Sequence, residues 1–380
     1  MEKLRYGMVG GSLDAYIGDT HRQAARMDHL AELTAGCFSR DYEKSLATAR
    51  VWSMPDLSRV YRDYREMAEA EARREDGIDF VSIVTPNDSH YEIAKCFLEH
   101  GIHILCDKPV TMTVPQAEEL KSLAETKGLL FGVTYGYTGY AVIRQAREMI
   151  RQGALGELVH VRVSHPEDWI IESVSPTPTD GPVPWRFQPE RIGEALCTGD
   201  LGTHAEQLLV QFTGLHIKRV LAMLDTYPRH LPLETNTTVL LDLGEGISGE
   251  LWASQIALGK ICSPEIYVIG TEGALEWRHE QPDTLRYTRR GGATELLVAG
   301  KDYMLPESNR LTRVSAGHHE GFFEAFGNIY RGFCHHLLAK KEGREAESYT
   351  FPTIADGLDG MKFIAACVES HRAGNIWVTL

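Results

Sequence analysis

Three kinds of side chain that move protons, a lysine, a carboxylate and a histidine, stand in two short motifs of this sequence. The first motif is Cys106-Asp107-Lys108-Pro109, which closes an apolar stretch, and the second is Gly199-Asp200-Leu201-Gly202-Thr203-His204. A glycine-rich turn near the N-terminus precedes both motifs. Such side chains can take a proton from a hydroxyl while a bound cofactor takes the hydride. The combination predicts a dehydrogenase that acts on alcohols without a metal.

Lys108 stands in an unusual context for a lysine, a residue type that is mostly found as a solvated surface charge. It follows the apolar run Ile102–Leu105 and precedes Pro109. At the carboxyl end of a parallel strand, a side chain projects into the crevice where ligands bind. Partial burial beside other charges suits a lysine to donate a hydrogen bond or a proton. We therefore predict that Lys108 is catalytic or orients the substrate.

Asp200 and His204 are spaced i, i+4, which on a helix places both side chains on the same side. A carboxylate in that place can orient a histidine and stabilise its protonated form, as a general base requires. A lone histidine on a helix is usually structural, but here the small residues Cys197-Thr198-Gly199 come first and permit a ligand to approach. We predict His204 as the acid/base and Asp200 as its partner.

Other clusters do not predict chemistry. His318-His319-Glu320 and His335-His336 resemble metal ligands, but adjacent residues on a helix point in different directions, so neither group forms a metal site by itself. The sequence contains no nucleophile turn of a Ser-His-Asp enzyme and no G-x-x-x-x-G-K-[ST] phosphate loop. We predict no metal site.

A strand, a glycine-rich turn and a helix are predicted over Arg5–Met27, and glycines stand at positions 7, 10, 11 and 18. Glycines there let the backbone approach a pyrophosphate, which then rests on the N-terminus of the following helix. The strict G-x-G-x-x-G pattern is broken, because Ser12 and Ala15 stand where the second and third glycines would be counted from Gly10. Gly11 and Gly18 can replace them on a longer loop. A dinucleotide site at Gly10, Gly11 and Ser12 and a plain tight turn both remain open on this pattern alone.

Phe38-Ser39-Arg40 ends the second predicted strand, where NAD enzymes commonly place an acidic residue for the ribose hydroxyls. Ser39 and Arg40 would instead hold a 2′-phosphate. Asp41, one residue later, could pair with Arg40 or serve the ribose itself. The cofactor is predicted to be NAD or NADP, with a slight preference for NADP.

The elements that position these residues alternate between strand and helix in the first third of the chain, which predicts a mostly parallel sheet covered on both faces. Beyond about residue 140 the pattern changes to β-rich segments separated by turns, typical of an open, largely antiparallel sheet. The long proline- and tryptophan-rich stretch His165–Leu196 predicts a functional loop. The predicted segments are Leu4–Val9, Glu32–Phe38, Asp79–Val84, Ile102–Leu105, Leu129–Val133, Leu158–Val163, Arg219–Asp225, Thr237–Leu243, Ser248–Ala253, Glu265–Ile269 and Ala274–Arg278 as strands, and Thr20–Met27, Tyr64–Arg74, Ser89–His100, Val114–Lys127, Ala141–Gln152, Glu320–Lys340 and Thr353–Ala373 as helices.

The bulk properties set further limits. A chain of 380 residues suits two domains, here predicted as a dinucleotide-binding domain over 1–138 and a substrate-binding and oligomerisation domain over 139–380, whose closing helix 353–373 can pack back on the first. The net charge of −14 argues against nucleic acid or an anionic membrane as partner. The seven cysteines are scattered and form no C-x-x-C pair, and the N-terminus has no signal-like apolar region, so a cytoplasmic protein is predicted.

With these residues in hand, the chain resembles the Gfo/Idh/MocA family, named after glucose–fructose oxidoreductase and inositol dehydrogenase. The resemblance covers essentially the whole length. The family's E-K-P appears as Asp107-Lys108-Pro109, with a shorter carboxylate, and its T-P-x-x-x-H turn as Thr85-Pro86-Asn87-Asp88-Ser89-His90. Its G-x-D-x-G-x-H helix appears as Gly199-Asp200-Leu201-Gly202-Thr203-His204. The Trp185-Arg186 pair, the Gly270–Gly273 turn and a helix opening near Pro352 are further points of similarity.

The resemblance implies an α/β fold: an N-terminal Rossmann domain, then an α/β domain whose large open, mostly antiparallel sheet often forms the interface of a homodimer or homotetramer. It implies NAD(P)-dependent oxidation of a secondary hydroxyl of a sugar, inositol or glycoside, or reduction of the ketone. Lys108 would bind the reacting hydroxyl, near the cofactor, and His204 would be the acid/base, with Asp200 orienting it or the substrate. Cofactor contacts would come from Thr85, Pro86, Asn87, His90 and Asp107, and substrate contacts from Tyr135, Tyr137, Trp185 and Arg186, although buried aromatic residues are equally often core.

Two other functions remain open. Some members of such a family oxidise a glycoside transiently with a retained NAD, eliminate the aglycone and reduce the ring again, which gives net glycoside cleavage. A protein that only senses the cofactor would be a third kind, which the joint presence of Lys108, Asp200 and His204 argues against. The sequence leaves open the substrate, the hydroxyl oxidised, the direction, the retention of the cofactor and the oligomer size.

Overall fold

The computed structural model describes residues 3–177, 184–346 and 350–380. The chain forms two compact units, the first made of Met1–Gly139 with Phe322–Leu358 and the second of Tyr140–Gly321 with Asp359–Leu380. The sequence prediction divided the chain near the same place, between 138 and 139, but it assigned 322–352 to the second domain. In the described part of the chain, no helix combines the length and apolar character that a membrane crossing requires.

The first unit is built on a five-stranded sheet in the order β2-β1-β3-β4-β5, with every strand parallel to its neighbours. This confirms the predicted Rossmann-type sheet. Its strands are β1 (Leu4–Gly10), β2 (Ala31–Cys37), β3 (Phe80–Val84), β4 (His103–Cys106) and β5 (Phe131–Val133). Its helices are α1 (Tyr16–Met27), α2 (Tyr42–Val51), α3 (Tyr64–Ala72), α4 (His90–Glu99), α5 (Val114–Lys127) and, from the later part of the chain, α11 (Phe322–Lys341).

The sheet is covered on both faces, as the composition of its central strand requires. All five residues of β3 are buried, which is typical of a strand between two layers of helices. Helix α11 supplies aromatic side chains to one of these layers. Phe80 of β3 lies 5.1 Å from the ring of Phe333 and stacks on Tyr6 of β1 at 5.3 Å. This packing places α11 in the first unit, because the burial of its apolar face depends on β1 and β3.

The second unit contains a nine-stranded sheet in the order β13-β12-β11-β10-β6-β9-β8-β7-β14. All pairs are antiparallel except β6 with β9, which confirms the predicted large, mostly antiparallel sheet. Three strands, β12, β13 and β14, were not predicted. The strands are β6 (Leu158–Pro166), β7 (Arg219–Asp225), β8 (Asn236–Asp242), β9 (Ser248–Ser254), β10 (Glu265–Gly270), β11 (Gly273–Arg278), β12 (Thr284–Arg289), β13 (Thr294–Val298) and β14 (Val378–Thr379).

The helices of the second unit include one irregular turn that bears on function. Thr198–Gly202 is a π-helical turn, and α9 follows it directly. The predicted functional loop His165–Leu196 contains two short helices and the 3-10 turn Trp185–Phe187, and residues 178–183 of it lie outside the described part. The helices are α6 (Ala141–Arg151), α7 (Trp169–Ser173), α8 (Pro189–Ile192), α9 (Thr203–Thr213) and α10 (Pro306–Asn309); α12 (Ile354–Arg372) begins in the residues of the first unit and ends in those of the second.

Candidate active site

The glycine turn between β1 and α1 requires glycine at three positions. Gly10 and Gly11 have φ angles of +83° and +73°, a region that favours glycine. A Cβ on Gly10 would lie 2.5 Å from the carbonyl oxygen of Val84, and one on Gly18 would lie 2.1 Å from that of Gly11. Gly11 and Gly18 therefore close the turn against each other, as expected for the longer loop. No side chain caps the N-terminus of α1, and within its first turn the Gly18 N–H donates to the Ala15 carbonyl oxygen at 3.2 Å. A ligand could therefore be bound by the N–H groups that precede Gly18.

The turn after β2 uses its polar side chains for local structure. Asp41 caps α2 by accepting hydrogen bonds from the N–H groups of Glu43 and Lys44. Ser39 is held by Ser45, whose hydroxyl accepts from the Ser39 N–H at 2.9 Å. Arg40 is exposed and forms no ion pair within the described residues. The carboxylate of Asp41 is thus occupied by the helix, and the guanidinium of Arg40 is accessible.

The turn after β3 carries the predicted cofactor contacts Thr85, Pro86 and Asn87, all half-buried. The Ser89 hydroxyl donates to the hydroxyl of Thr85 at 2.8 Å and lies 2.9 Å from the Pro86 carbonyl oxygen. The strand order reverses at β1, between β2 and β3, so Gly10 and Thr85 lie at the switch point of the sheet. Open parallel sheets bind ligands outside the carboxyl ends of the strands at such a point.

His90 begins α4 and is fully buried. Its Nδ1 lies 2.9 Å from the carbonyl oxygen of Pro109, and its Nε2 lies 2.8 Å from that of Thr85. The ring therefore bridges the turn after β3 and the turn after β4. Both nitrogens of this ring, which the resemblance predicts to line the cofactor, already have backbone partners.

Asp107 directly follows β4 and is held by backbone and side chain. Its N–H donates to the Ile83 carbonyl oxygen at 2.9 Å, and its Oδ1 accepts from the Lys108 N–H at 2.8 Å and the Thr134 hydroxyl at 3.1 Å. Burial alone would raise the pKa of this carboxyl, but the neighbouring His21 ring and nearby positive charges outweigh burial and hold the pKa below its ordinary range. The carboxylate is therefore ionised beside Lys108.

A buried polar cluster beneath Asp107 was missed by the sequence analysis. The Nε2 of His21 lies 3.8 Å from Asp107 Oδ2, and its Nδ1 lies 2.8 Å from the Tyr330 hydroxyl. The Ser82 hydroxyl completes the group at 2.7 Å from that of Tyr330. These residues come from α1, β3 and α11, so no local sequence pattern could have shown that they meet.

Lys108 is half-buried and lies two residues after the end of β4, at the carboxyl end of a parallel strand as predicted. Its charge is among the causes of the low pKa of Asp107. The candidate substrate residues Tyr135 and Tyr137 are both buried in the first unit, and the Tyr137 ring packs 5.4 Å from that of Phe322. The first unit thus brings together Asp107, Lys108 and the turns that follow β1 and β3.

In the second unit, Asp200 lies within the π-helical turn, whereas the sequence predicted a regular helix for the i, i+4 pair. Its Oδ2 accepts from the Gln255 side-chain amide at 3.2 Å and lies 4.0 Å from a guanidinium nitrogen of Arg186. Buried Glu234, which the sequence analysis missed, accepts from the N–H groups of Leu196 and Thr198 at 3.0 and 2.8 Å. Burial raises the pKa of Glu234, although these two N–H groups oppose the shift.

His204 is half-buried at the start of α9, with its ring 5.7 Å from that of His165. His165 also lies 3.4 Å from a Glu167 carboxylate oxygen and 4.0 Å from the Cys262 sulfur. These three are the one group of potential metal ligands that come close together among the described residues. The sequence analysis did not single them out, because Cys262 lies far from the other two along the chain.

The predicted substrate residues Trp185 and Arg186 form a cation–π pair, with the Arg186 guanidinium 4.9 Å from the Trp185 ring. Trp185 packs against a small apolar cluster that contains Ile170 and Phe187. Arg186 is thereby directed from the loop that follows β6 towards Asp200. The second unit thus brings together Asp200, Arg186 and Gln255, and it also brings His204 close to His165.

Comparison with protein families matches both units of this arrangement. Residues 4–135 match an oxidoreductase family with an NAD-binding Rossmann fold, and residues 143–276 match the GFO/IDH/MocA C-terminal domain. An uncharacterized oxidoreductase of Bacillus subtilis, YfiI, is 35% identical over 386 residues, which cover 99% of this chain and 96% of the relative. Levoglucosan dehydrogenase of Pseudarthrobacter phenanthrenivorans is 24% identical over 75% of this chain and 76% of its own.

Solved structures agree with this relationship. An inositol dehydrogenase homolog from Azotobacter vinelandii, complexed with NAD+, superposes with a TM-score of 0.94 at 34% identity and covers 100% of this chain and 98% of its own. A second structure of that homolog contains NADH and myo-inositol, with a TM-score of 0.91 and the same identity and coverage. The chain therefore belongs to the Gfo/Idh/MocA family of NAD-binding oxidoreductases.

Proposed function

We propose that this oxidoreductase is a dehydrogenase that oxidises a secondary hydroxyl of a sugar, inositol or glycoside, or reduces the corresponding ketone. The observation that carries the proposal is an ionised carboxylate and a half-buried lysine, Asp107 and Lys108, directly after β4 of an NAD-binding sheet. The names of the relatives support the substrate class, because one is a levoglucosan dehydrogenase and another was solved with NADH and myo-inositol. Both compounds are polyhydroxylated rings.

The first unit fits a dinucleotide. Gly10 lets the turn pack closely against the end of β3 at the switch point, and the uncapped N-terminus of α1 offers N–H groups to a diphosphate. Ser12 lies in the same turn, whereas Thr85, Pro86 and Asn87 border it from the end of β3. A dinucleotide held there would supply the hydride acceptor for oxidation of a carbinol carbon and the hydride donor for the reverse reduction.

The choice between NAD and NADP depends on the turn after β2. Asp41 is committed to capping α2, while Arg40 is exposed and without an ion pair in the described chain, which supports acceptance of a 2′-phosphate by Ser39 and Arg40. We therefore keep the slight preference for NADP. Titration of the protein with NADP and NAD should give the lower dissociation constant for NADP, and a clearly lower constant for NAD would reverse this assignment.

The residues of the chain would divide the proton chemistry between them. The Lys108 ammonium binds the reacting hydroxyl and stabilises the alkoxide that develops on it. His204 removes the hydroxyl proton in oxidation and returns it in reduction. Asp200, held by Gln255, orients the substrate or the histidine, and no covalent bond to the enzyme forms.

The substrate side of the proposal rests on the loop after β6. Arg186 and Trp185 present a guanidinium and an aromatic ring from one 3-10 turn, a pair suited to hydroxyl groups and to the apolar face of a sugar ring. Tyr135 and Tyr137 belong to the same predicted set, but Tyr135 is fully buried and Tyr137 is only 8% exposed, so Tyr137 is the better candidate for a substrate contact.

The test is the growth of the absorbance band of reduced nicotinamide. Purified protein is mixed with NAD or NADP and with inositols, free sugars and glycosides. Growth in proportion to the substrate supports the dehydrogenase. Release of an aglycone without net growth would instead support glycoside cleavage through transient oxidation, and binding of neither nucleotide would overturn both.

We also propose a homo-oligomer that covers the outer face of the nine-stranded sheet. This face exposes apolar side chains on five separate strands, and the ion pair Arg162–Glu250 lies between them at 2.7 Å. The exposed apolar residues are Met223, Leu240, Trp252, Tyr267 and Leu296. A dimer or tetramer should sediment as such, and Leu240→Arg should shift it towards the monomer; a wild-type monomer would contradict the proposal.

The cytoplasm is the proposed location. All seven cysteines are free in the structure, five of them buried. Unpaired buried thiols fit a reducing compartment. Fractionation of the native host should recover the protein with the cytoplasmic markers, and its recovery with secreted proteins would contradict the assignment.

A further inference from the structure

The buried ring of His90 faces two hydrogen-bond acceptors and no other polar partner within the described residues. The carbonyl oxygens of Thr85 and Pro109 lie 2.8 and 2.9 Å from Nε2 and Nδ1, with both ring N–H directions aimed at them. A backbone carbonyl oxygen only accepts, and Pro109 has no N–H group at all.

A neutral imidazole cannot satisfy this environment. It carries one N–H and one lone pair, so one nitrogen would direct its lone pair at a carbonyl oxygen in a fully buried place. An unsatisfied buried contact of that kind costs about 1–3 kcal/mol. Turning the ring over would face both oxygens with carbon atoms and leave both nitrogens without partners. Only an imidazolium, which donates from both nitrogens, fits both carbonyls.

We propose that His90 is held as an imidazolium that ties the turn after β3 to the turn after β4 and thereby positions Lys108. This inference rests on the proposed role of Lys108. It makes His90 a positioning residue, whereas the family resemblance implied direct contact with the cofactor.

The position of Lys108 follows from its two neighbours. On one side, the Asp107 carboxylate accepts the Lys108 N–H at 2.8 Å, and on the other, the Pro109 carbonyl is held by the His90 ring. The main chain of Lys108 is thus fixed from both sides. The far end of the tie is Thr85, directly after β3, so the turn that borders the cofactor site is fixed with it.

Charge balance supports the imidazolium. A buried cation requires a nearby anion, and Asp107 supplies one. The His90 ring and the Asp107 carboxylate are near enough to interact electrostatically. The other groups that face this carboxylate are His21 from α1, the Lys108 ammonium and the Thr134 hydroxyl.

The first test reads the protonation state directly in the wild-type protein. Nitrogen-15 NMR of protein labelled in its 16 histidines should show, at neutral pH, one ring with hydrogens on both nitrogens. That signal should vanish in His90→Gln; if this variant does not fold, correlations from the ring to its own backbone assign the signal. A ring of His90 with one protonated nitrogen at neutral pH would overturn the proposal, whatever the substrate proves to be.

The second test separates positioning from folding. His90→Gln should lower kcat about tenfold to a hundredfold per folded molecule, while the dissociation constant of the cofactor changes less than about threefold. His100→Gln is the matched control, because His100 is exposed at the other end of α4 and bonds only the Cys96 carbonyl. An unchanged kcat in His90→Gln would overturn the positioning role.

A double-mutant cycle tests whether His90 acts through Lys108. With Lys108→Ala as background, His90→Gln should lower kcat by less than about twofold further, since the lysine it positions is gone. Fully additive losses would mean that His90 acts independently of Lys108 and would overturn the proposal. If Lys108→Ala itself left turnover unchanged, the proposed mechanism would fail, while the NMR result would still decide the state of His90.

Discussion

The two groups of candidate residues are held in different ways. In the first unit, the N–H of Asp107 donates to the Ile83 carbonyl oxygen at 2.9 Å. Its carboxylate accepts hydrogen bonds from the Lys108 N–H at 2.8 Å and from the Thr134 hydroxyl at 3.1 Å. In the second unit, Asp200 sits in a π-helical turn, where its own N–H donates to the Leu196 carbonyl oxygen at 2.9 Å. Its carboxylate lies 3.2 Å from the Gln255 amide and 4.0 Å from the Arg186 guanidinium. The Asp107 carboxylate thus has a main-chain N–H among its donors, whereas these two contacts of the Asp200 carboxylate are with side chains.

This difference predicts where substitutions of neighbouring residues should have little effect and where they should have a large one. Contacts to the main chain persist when neighbouring side chains are replaced, so the place of Lys108 should depend on few other residues. Contacts between side chains depend on both partners, so Asp200 should respond to substitutions in Gln255 and Arg186.

The largest expected effect is the loss of the fixed cation. Lys108→Ala should reduce kcat about a thousandfold, because the developing alkoxide loses its positive partner. Cofactor binding, measured by titration, should change little. Lys121→Ala is the control, since Lys121 pairs with Glu125 on the surface of α5. Unchanged turnover in Lys108→Ala would remove the lysine from the mechanism.

A loss of about a hundredfold in kcat is expected for His204→Gln, because proton transfer then lacks its positioned base. His216→Gln is a fitting control in the same unit, since His216 is exposed and pairs with Asp359 at 3.0 Å. Steady-state kinetics on both variants checks the prediction. Equal effects of the two substitutions would show that His204 has no special part in catalysis.

The comparison between the two carboxylates is sharpened by removing one hydrogen bond from each. Gln255→Met should raise KM or lower kcat/KM about tenfold, the value of one hydrogen bond to a charged group. Thr134→Val should cost less than about threefold, because Asp107 keeps the Lys108 N–H as donor. If Thr134→Val were the more damaging, the proposed contrast between the two units would be reversed.

The last prediction concerns the free energy of unfolding, and no effect on turnover is expected. Burial, with the charge of Lys340, lowers the pKa of His103 in β4 from 6.5 to about 4, where its neutral Nδ1 accepts the Leu130 N–H. The unfolded chain binds the proton first, so this contribution is full above pH 6.5 and is lost as the pH falls towards 4. His103→Asn should reduce the change in the free energy of unfolding between pH 6.5 and pH 4 by roughly 2–3 kcal/mol. Denaturant titrations at several pH values check this, and an unchanged slope would contradict it.

The sequence could predict the first unit well because its signals are local. An apolar run followed by a lysine and a proline marks the end of a buried strand, and parallel strands end at the same edge of a sheet. Lys108 and the turn of Thr85 were found in this way. The π-helical turn at Asp200 could not be found, because a shift in helical hydrogen bonding has no distinct residue pattern.

Other features escaped prediction because they depend on distant parts of the chain. The apolar face of α11 shows that it packs on something, but not that its partners are β1 and β3 of the first unit. The two carbonyl partners of His90 belong to the main chain and leave no trace in residue types. His21, Tyr330 and Glu234 also meet their partners only after folding.

The most direct measurement of the central claim follows a hydrogen atom. A polyol deuterated at its carbinol carbons, such as myo-inositol or whichever compound the panel identifies, is incubated with the protein and its nucleotide, and the reduced nicotinamide is analysed by mass spectrometry. Transfer of one deuterium per reduced cofactor, abolished by Lys108→Ala, is the predicted result. Reduced cofactor without deuterium, or no reduced cofactor with any polyol and either nucleotide, would contradict the account.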